Sequence, residues 1–270
     1  MSVDLSLLGK STEYPTQYAP NVLFPIARAE SRQSYADIAA IQNGVDWWHV
    51  FELSWLDTQG KPQVAIARLH IPAHSPYLIE SKSLKLYFNS LNFHHFNDQN
   101  ALIHTVEQDL SQAAQASVKI QLFGVNDLPT QQPYGECIDD VTPTQIAYQP
   151  NAQLLQCVPN GDMVEQYLHS HLLRSNCPVT NQPDWGTVFI RYQGREICRA
   201  SLLAYIISFR EHNGFHEQCV EQIFADIWMQ LKPEKLMVYA TYTRRGGLDI
   251  NPCRTSHDDW LVEPIRLARQ

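Results

Sequence analysis

Long apolar runs are missing from this chain: nothing approaches the ~20 residues a helix needs to cross a bilayer. Residues 1–10 carry no basic stretch followed by an apolar one, so no secretory leader is expected and the cytoplasm is the expected compartment. No CxxC pair occurs among the six cysteines, Cys137, Cys157, Cys177, Cys198, Cys219 and Cys253, which argues against a zinc knuckle or a thioredoxin-type motif. In a reducing compartment they are expected to be free thiols. No GxGxxG follows a strand, so a nicotinamide cofactor would need another scaffold than the dinucleotide fold. There is no HExxH; His212 and His216 are four apart, but Asn213-Gly214 breaks the helix between them, so no metal is expected. Basic charge is scarce: 20 Lys and Arg stand against 28 Asp and Glu, for a formal net charge of -8. Such a surface attracts phosphate backbones poorly, and neither direct nucleic-acid contact nor a membrane is an expected partner.

What is present fits a globular α+β protein. With 270 residues, 44% hydrophobic and 18% charged, the chain can form one large domain or two ordinary ones around a sizeable core. The first ~40 residues have scattered prolines and little periodicity, and read as an arm. Residues 47–55 and 64–71 alternate as strands around the turn signal at 57–62, giving a hairpin. Leu84, Leu86, Tyr87, Leu91 and Phe93 fall in a helix-compatible run, and 97–116 reads as a second helix with Ala101, Leu102, Val106 and Leu110 on one stripe. Residues 118–123 read as a strand, and 125–160 as a loop or linker. The division between halves is expected near 150, giving modules 1–150 and 151–270.

The second half repeats the plan. Residues 187–192 form a strand, Gln193-Gly194-Arg195 turns it, and 196–200 returns. A helix over 202–210 follows, with Ser201 as N-cap. After Asn213-Gly214 comes an amphipathic helix carrying Val220, Ile223, Phe224, Ile227, Trp228 and Leu231, stopped by Pro233. Residues 235–243 form a last strand. Glu80 and Glu217 each stand where a helix begins. The pattern suggests two copies of one antiparallel-sheet-plus-helices module, with sheet edges that need covering.

Four constellations carry chemistry. Cys177 lies between Asn176 and Pro178 in a polar segment, where a thiol is accessible, and Asp184 follows seven residues on; a thiolate nucleophile with a carboxyl proton donor is one reading, a loop Cys and a turn Asp the other. His216 and Glu217 at a helix start suit a polar heterocycle, or simply the helix dipole. In Ile79-Glu80-Ser81-Lys82-Ser83-Leu84-Lys85, the two lysines share a helix face that meets phosphates or only solvent. Arg244-Arg245-Gly246-Gly247 puts guanidinium groups beside flexible glycines, a phosphate cradle or a charged turn.

Together these segments resemble the NADPH-dependent 7-cyano-7-deazaguanine reductases of queuosine biosynthesis (the QueF family), in their long two-module form. The resemblance rests on Glu80-Ser81-Lys82-Ser83-Leu84-Lys85-Leu86-Tyr87, on Cys177 to Asp184, on Phe215-His216-Glu217 and on the run from Arg244 to Pro252. It implies a tunnelling fold in two tandem modules and a homodimer. It also implies that the nitrile of 7-cyano-7-deazaguanine is reduced to an aminomethyl group, with Cys177 attacking to form a thioimide, Asp184 giving the proton and two NADPH each supplying a hydride. Ile79, Glu80, Ser81, His216 and Glu217 would hold the base; Ser81, Lys82, Arg245 and Gly246 would contact NADPH. Alternatives are a tunnelling-fold lyase or hydrolase acting on a pterin or purine, a non-catalytic purine- or tRNA-binding module, and a Cys–His hydrolase built on Cys177 and His216.

Overall fold

The computed structural model describes residues 14–270, so what was expected of residues 1–13 lies outside the described residues. The packing separates two units. The first contains the chain up to Ser34, Asp46–Pro129 and Arg244–Asp249; the second contains Tyr35–Val45, Thr130–Thr243 and Ile250–Gln270. The passage from Pro129 to Thr130 falls inside the Pro- and Gln-rich stretch read as a linker.

In the first unit the presumed arm is structured: β1 (Pro25–Ala27) leads into the short α1 (Arg28–Arg32). Ile26 is buried, and the buried Arg28 pairs with Asp46 at 2.6 Å. The expected hairpin is formed by β2 (Gly44–Leu56) and β3 (Pro62–Pro72). Its turn is tied by Asp57, whose Oδ1 accepts from the backbone N–H of Gln59 and Lys61 at 2.9 and 3.0 Å. These bonds hold the Asp57 carboxyl below its ordinary value. Then come β4 (Tyr77–Ile79), antiparallel to β1, the helices α2 (Ser81–Ser90) and α3 (Gln99–Ala114), and β5 (Lys119–Phe123). The sheet order is β5-β3-β2. Leu102, Val106 and Leu110 of α3 are fully buried, each contributing about 1.5–3 kcal/mol. The helical run ends earlier than its apolar residues suggest: α2 stops at Ser90 and Phe93 is 70% exposed.

In the second unit the strands are β6 (Glu136–Cys137), β7 (Met163–Ser170), β8 (Arg174–Asn176), β9 (Pro183–Arg195), β10 (Lys235–Tyr242) and β11 (Leu248–Thr255), the last belonging to this unit from Ile250 on. The helices are α4 (Arg199–Ser208) and α5 (His216–Leu231). The sheet order is β11-β10-β9-β7-β6, and β8 pairs with β9. Several expectations are corrected here. Gln193-Gly194-Arg195 is not a turn, because β9 continues to Arg195 while pairing with β7 on one side and β10 on the other. Residues 196–198 are no return strand, since α4 begins at Arg199. Ser201 lies inside α4 rather than at its cap, where its hydroxyl donates to the Cys198 carbonyl at 2.8 Å. A further strand, β11, follows the one taken as last. The stripe of α5 is as expected: Val220, Ile223, Phe224 and Ile227 are fully buried, and Lys232 ends the helix in left-handed conformation just before Pro233.

The internal repetition is closer in structure than in sequence. Each unit holds two strands, a 10-residue helix, a 16-residue helix and a strand in the same order: β2, β3, α2, α3, β5 in one, and β7, β9, α4, α5, β10 in the other. In each, a tyrosine of the short helix donates at 2.6 Å to an aspartate of the long one, Tyr87 to Asp109 and Tyr205 to Asp226. In each, a serine three residues on donates to that tyrosine's carbonyl, also at 2.6 Å. The repeat therefore does not equate Glu80 with Glu217: the first caps a short helix and the second opens a long one. Antiparallel sheet with packed helices is the α+β class expected. Among the described residues no helix is long and apolar enough to cross a membrane.

Candidate active site

Cys177 sits at the bend between β8 and β9. Arg174, Ser175 and Asn176 pair with Trp185, Asp184 and Pro183 respectively. Pro183 is tolerated because it opens its strand. The bend is closed by Cys177 N–H donating to the Gln182 carbonyl at 2.9 Å and Asn181 N–H donating to the Cys177 carbonyl at 3.0 Å. Asn181 takes the left-handed conformation, φ +55°, which asparagine tolerates. Strand alternation turns Ser175 and its partner Asp184 to one face, and Cys177 follows one residue past the end of that ladder. Asp184 therefore lies on a strand, not in a turn. Cys177 is also not the accessible loop thiol expected: it is 8% exposed, and Asp184 4%.

The burial of Cys177 has a backbone cause. Asn176 N–H donates to the His212 carbonyl at 2.8 Å, and its own carbonyl accepts from Gly214 N–H at 3.1 Å. The segment before α5 is thus stitched to the residue before the cysteine, which brings the start of α5 to the same place. There His216 stacks on Tyr242, centroids 4.0 Å apart at 14°, and its Nε2 lies 3.3 Å from Asp184 Oδ1. His216 Nδ1 is buried without a hydrogen-bond partner. Such an orphaned nitrogen costs about 1–3 kcal/mol and is relieved by a bound polar group. Glu217 follows, 2% exposed, in the first turn, where the helix dipole favours a carboxylate. Gly186 admits the Tyr242 ring, since a Cβ there would lie 3.1 Å from it.

Sequence reasoning missed three members of this group. Ser175 and Tyr242 are buried, and so is Cys219, whose thiol is pushed up to about 12, by burial first and further by the Asp184 charge. Neither Tyr242 nor Cys219 carries a motif; only the fold brings them together. Trp185, 40% exposed, has the guanidinium groups of Arg174 and Arg210 over its ring at 5.6 and 5.8 Å. His212 is held below its ordinary value by burial.

The other predicted residues belong to the first unit. Glu80 is fully buried and caps α2: Oε1 accepts from Lys82 N–H at 2.6 Å and Oε2 from Ser83 N–H at 2.8 Å. Burial raises its carboxyl despite those two bonds. Ile79 is buried beside it, while Ser81 and Lys82 are partly exposed. Gly246 and Gly247 form the tip between β10 and β11, with φ +59° and +80°; Arg245 N–H donates to the Leu248 carbonyl at 2.8 Å to close the turn. A cavity of about 80 Å³ lies there, lined by Glu52, Lys85, Asn89, Gly246 and Gly247 among others. A Cβ at Gly246 would come within 2.4 Å of Lys85 Nζ. The two basic motifs thus meet through Lys85, one of the two lysines read on that helix face. A cation against bare glycine backbone fits a phosphate-bearing cofactor.

Two family descriptions match the chain: "Nitrile reductase, 7-cyano-7-deazaguanine-reductase N-term" over residues 14–122 and "QueF-like protein" over residues 183–260. Proteins named NADPH-dependent 7-cyano-7-deazaguanine reductase are 66% identical in Acinetobacter baumannii (strain SDF) and 65% in Acinetobacter baylyi, each covering 100% of both chains. One in Chromohalobacter salexigens is 51% identical over 97% of this chain and 96% of its own. The chain belongs to the 7-cyano-7-deazaguanine reductase family. Among solved structures, the apo form of the archaeosine synthase QueF-Like aligns with 36% of this chain and 96% of its own, at 16% identity and a TM-score of 0.31. Both segments with catalytic-type side chains in this reductase-family chain, the β8–β9 bend and the start of α5, fall within or beside the second matched region.

Proposed function

We propose that the protein reduces the nitrile of 7-cyano-7-deazaguanine to the aminomethyl group with NADPH, in the cytoplasm, as a step toward queuosine in tRNA. The observation that carries this reading is the β8–β9 bend: Cys177 one residue beyond the ladder in which Ser175 pairs with Asp184, with His216 3.3 Å from Asp184 and Glu217 next along α5. A nitrile is a linear, poor electrophile, so its carbon needs a soft nucleophile while its nitrogen needs a proton. The Cys177 thiolate forms a C–S bond to the nitrile carbon as one C≡N π bond breaks and the nitrogen takes the Asp184 proton, giving a thioimide and the Asp184 carboxylate. Enclosure keeps water from hydrolysing that adduct. Glu217 accepts the adjacent N–H groups of the guanine-like edge, and His216 Nδ1 gains a partner from the base. NADPH, when bound, supplies hydride. Lys85 joins Ser81, Lys82, Arg245 and Gly246 in holding its phosphates; the family resemblance also assigns Ile79, Glu80 and Ser81 to the base. The reading includes two tandem tunnelling-fold modules and a homodimer that covers sheet-edge strands such as β5 and β6.

The test follows the absorbance of NADPH when protein and 7-cyano-7-deazaguanine are mixed. Steady oxidation of the cofactor is expected. Without NADPH, intact-mass spectrometry is expected to find protein heavier by one substrate, and Cys177→Ala to lack that species. Oxidation without nitrile loss, or an adduct that survives Cys177→Ala, rejects the mechanism.

A further inference from the structure

The second unit brings together three ligand-type side chains that take no part in the nitrile reading. Cys137 on β6 is the register partner of His169 on the parallel β7, and His171 follows two residues after His169, on the same side of the chain. Ligand atoms of the three lie within 4.8 Å of one another. His169 is 5% exposed, and its Nδ1 has no hydrogen-bond partner. His171 has Nδ1 3.0 Å from Thr187 Oγ1, which also accepts from Arg269 at 2.8 Å; this leaves Nε2 as the ring nitrogen open to a metal. The asymmetry is the one outer-shell partners impose on ligating histidines. Asp139 lies alongside, accepting from Ser170 Oγ at 2.6 Å and from His171 N–H at 3.1 Å, and adds negative charge next to the cluster.

We propose that Cys137, His169 and His171 hold one zinc ion, with the fourth position open to water. One thiolate and two imidazoles suit zinc, and magnesium or calcium would require oxygen ligands. Zn–N bonds of about 2.0–2.1 Å and Zn–S bonds of about 2.3 Å set ligand atoms roughly 3.3–3.7 Å apart, so contraction by about 1 Å closes the site. The fourth position opens outward because Cys137 is exposed. The ion would staple β6, a two-residue edge strand, to β7. No sequence spacing announces the site: Cys137 stands far from the His-x-His pair, and only strand pairing joins them.

The experiment uses the full-length wild-type chain, stripped with chelator and reloaded with zinc or cobalt(II). About one zinc per chain is expected to remain after dialysis, with a rise in unfolding temperature. Cobalt is expected to give a thiolate-to-metal absorption band that Cys137→Ser loses and Cys177→Ala keeps. Zinc is also expected to slow alkylation of Cys137 at least tenfold, read peptide by peptide in the unaltered protein, so the result does not depend on a variant folding. A cobalt band that persists in Cys137→Ser, or retained zinc that leaves Cys137 alkylation unchanged, marks adventitious metal and overturns the proposal. So does the absence of retained zinc. NADPH oxidation by chelator-treated protein is scored separately, so this site and the nitrile chemistry fail independently.

Discussion

At the scale of single residues, Asp184 and His216 make a buried acid–imidazole contact of 3.3 Å beside the cysteine. If Asp184 delivers the proton, Asp184→Ala is expected to keep substrate affinity in calorimetric titration while turnover falls about 10²–10⁴-fold, the range of general acid–base contributions. Unchanged turnover removes that role. His212 has a different part. Burial holds it below its ordinary 6.5, so the unfolded chain takes up the proton first. Its contribution to stability is complete above that value and is lost as pH falls through it toward the folded-state value. The urea midpoint is therefore expected to drop between about pH 7 and about pH 5, and to drop less in His212→Gln. Comparing the two slopes, rather than absolute midpoints, isolates the titration from any packing loss.

At the scale of elements, the Gly246–Gly247 tip is the most exacting turn in the first unit. Gly246→Ala forces a side chain into the left-handed region, at about 1–2 kcal/mol, and sets a Cβ against Lys85. It is expected to raise KM for NADPH roughly tenfold, worth about 1.4 kcal/mol, with adduct formation in the absence of cofactor unchanged. An unaltered KM separates this tip from cofactor binding. What the sequence disclosed about elements follows the physics of burial. The long helices and the β2–β3 hairpin were legible because one face of each is apolar. Strand β11 was not: every residue from Leu248 to Thr255 is buried, including Asp249, Asn251 and Arg254, so there is no alternation to read. In β7 the buried face carries Gln166, and His169 and Ser170 are buried at its end. Gly194 looked like a turn because the pairing that holds it extended, opposite Val164, is supplied by β7. In the second unit's site, the motif residues were legible one by one, but Ser175, Tyr242 and Cys219 join them through tertiary packing alone.

At the scale of the whole molecule, the tandem plan of two similar units carries different chemistry in each. The second holds thiol, carboxyl and imidazole; the first holds a buried capping carboxylate and a basic turn. Among the described residues β5 and β6 end the strand paths of their units, and on the homodimer reading light scattering is expected to return twice the chain mass of 31.0 kDa. A monomeric mass at micromolar concentration removes the homodimer from the reading.

The double engagement of Asn176 has a consequence for how such a protein varies over time. Because that one residue donates toward the loop ahead of α5 and accepts back from it, the backbone leading into Cys177 and the start of α5 are tied together. A drift in either drags the other along. Replacements around residues 212–214 are then expected to disturb the cysteine bend and the start of α5 together.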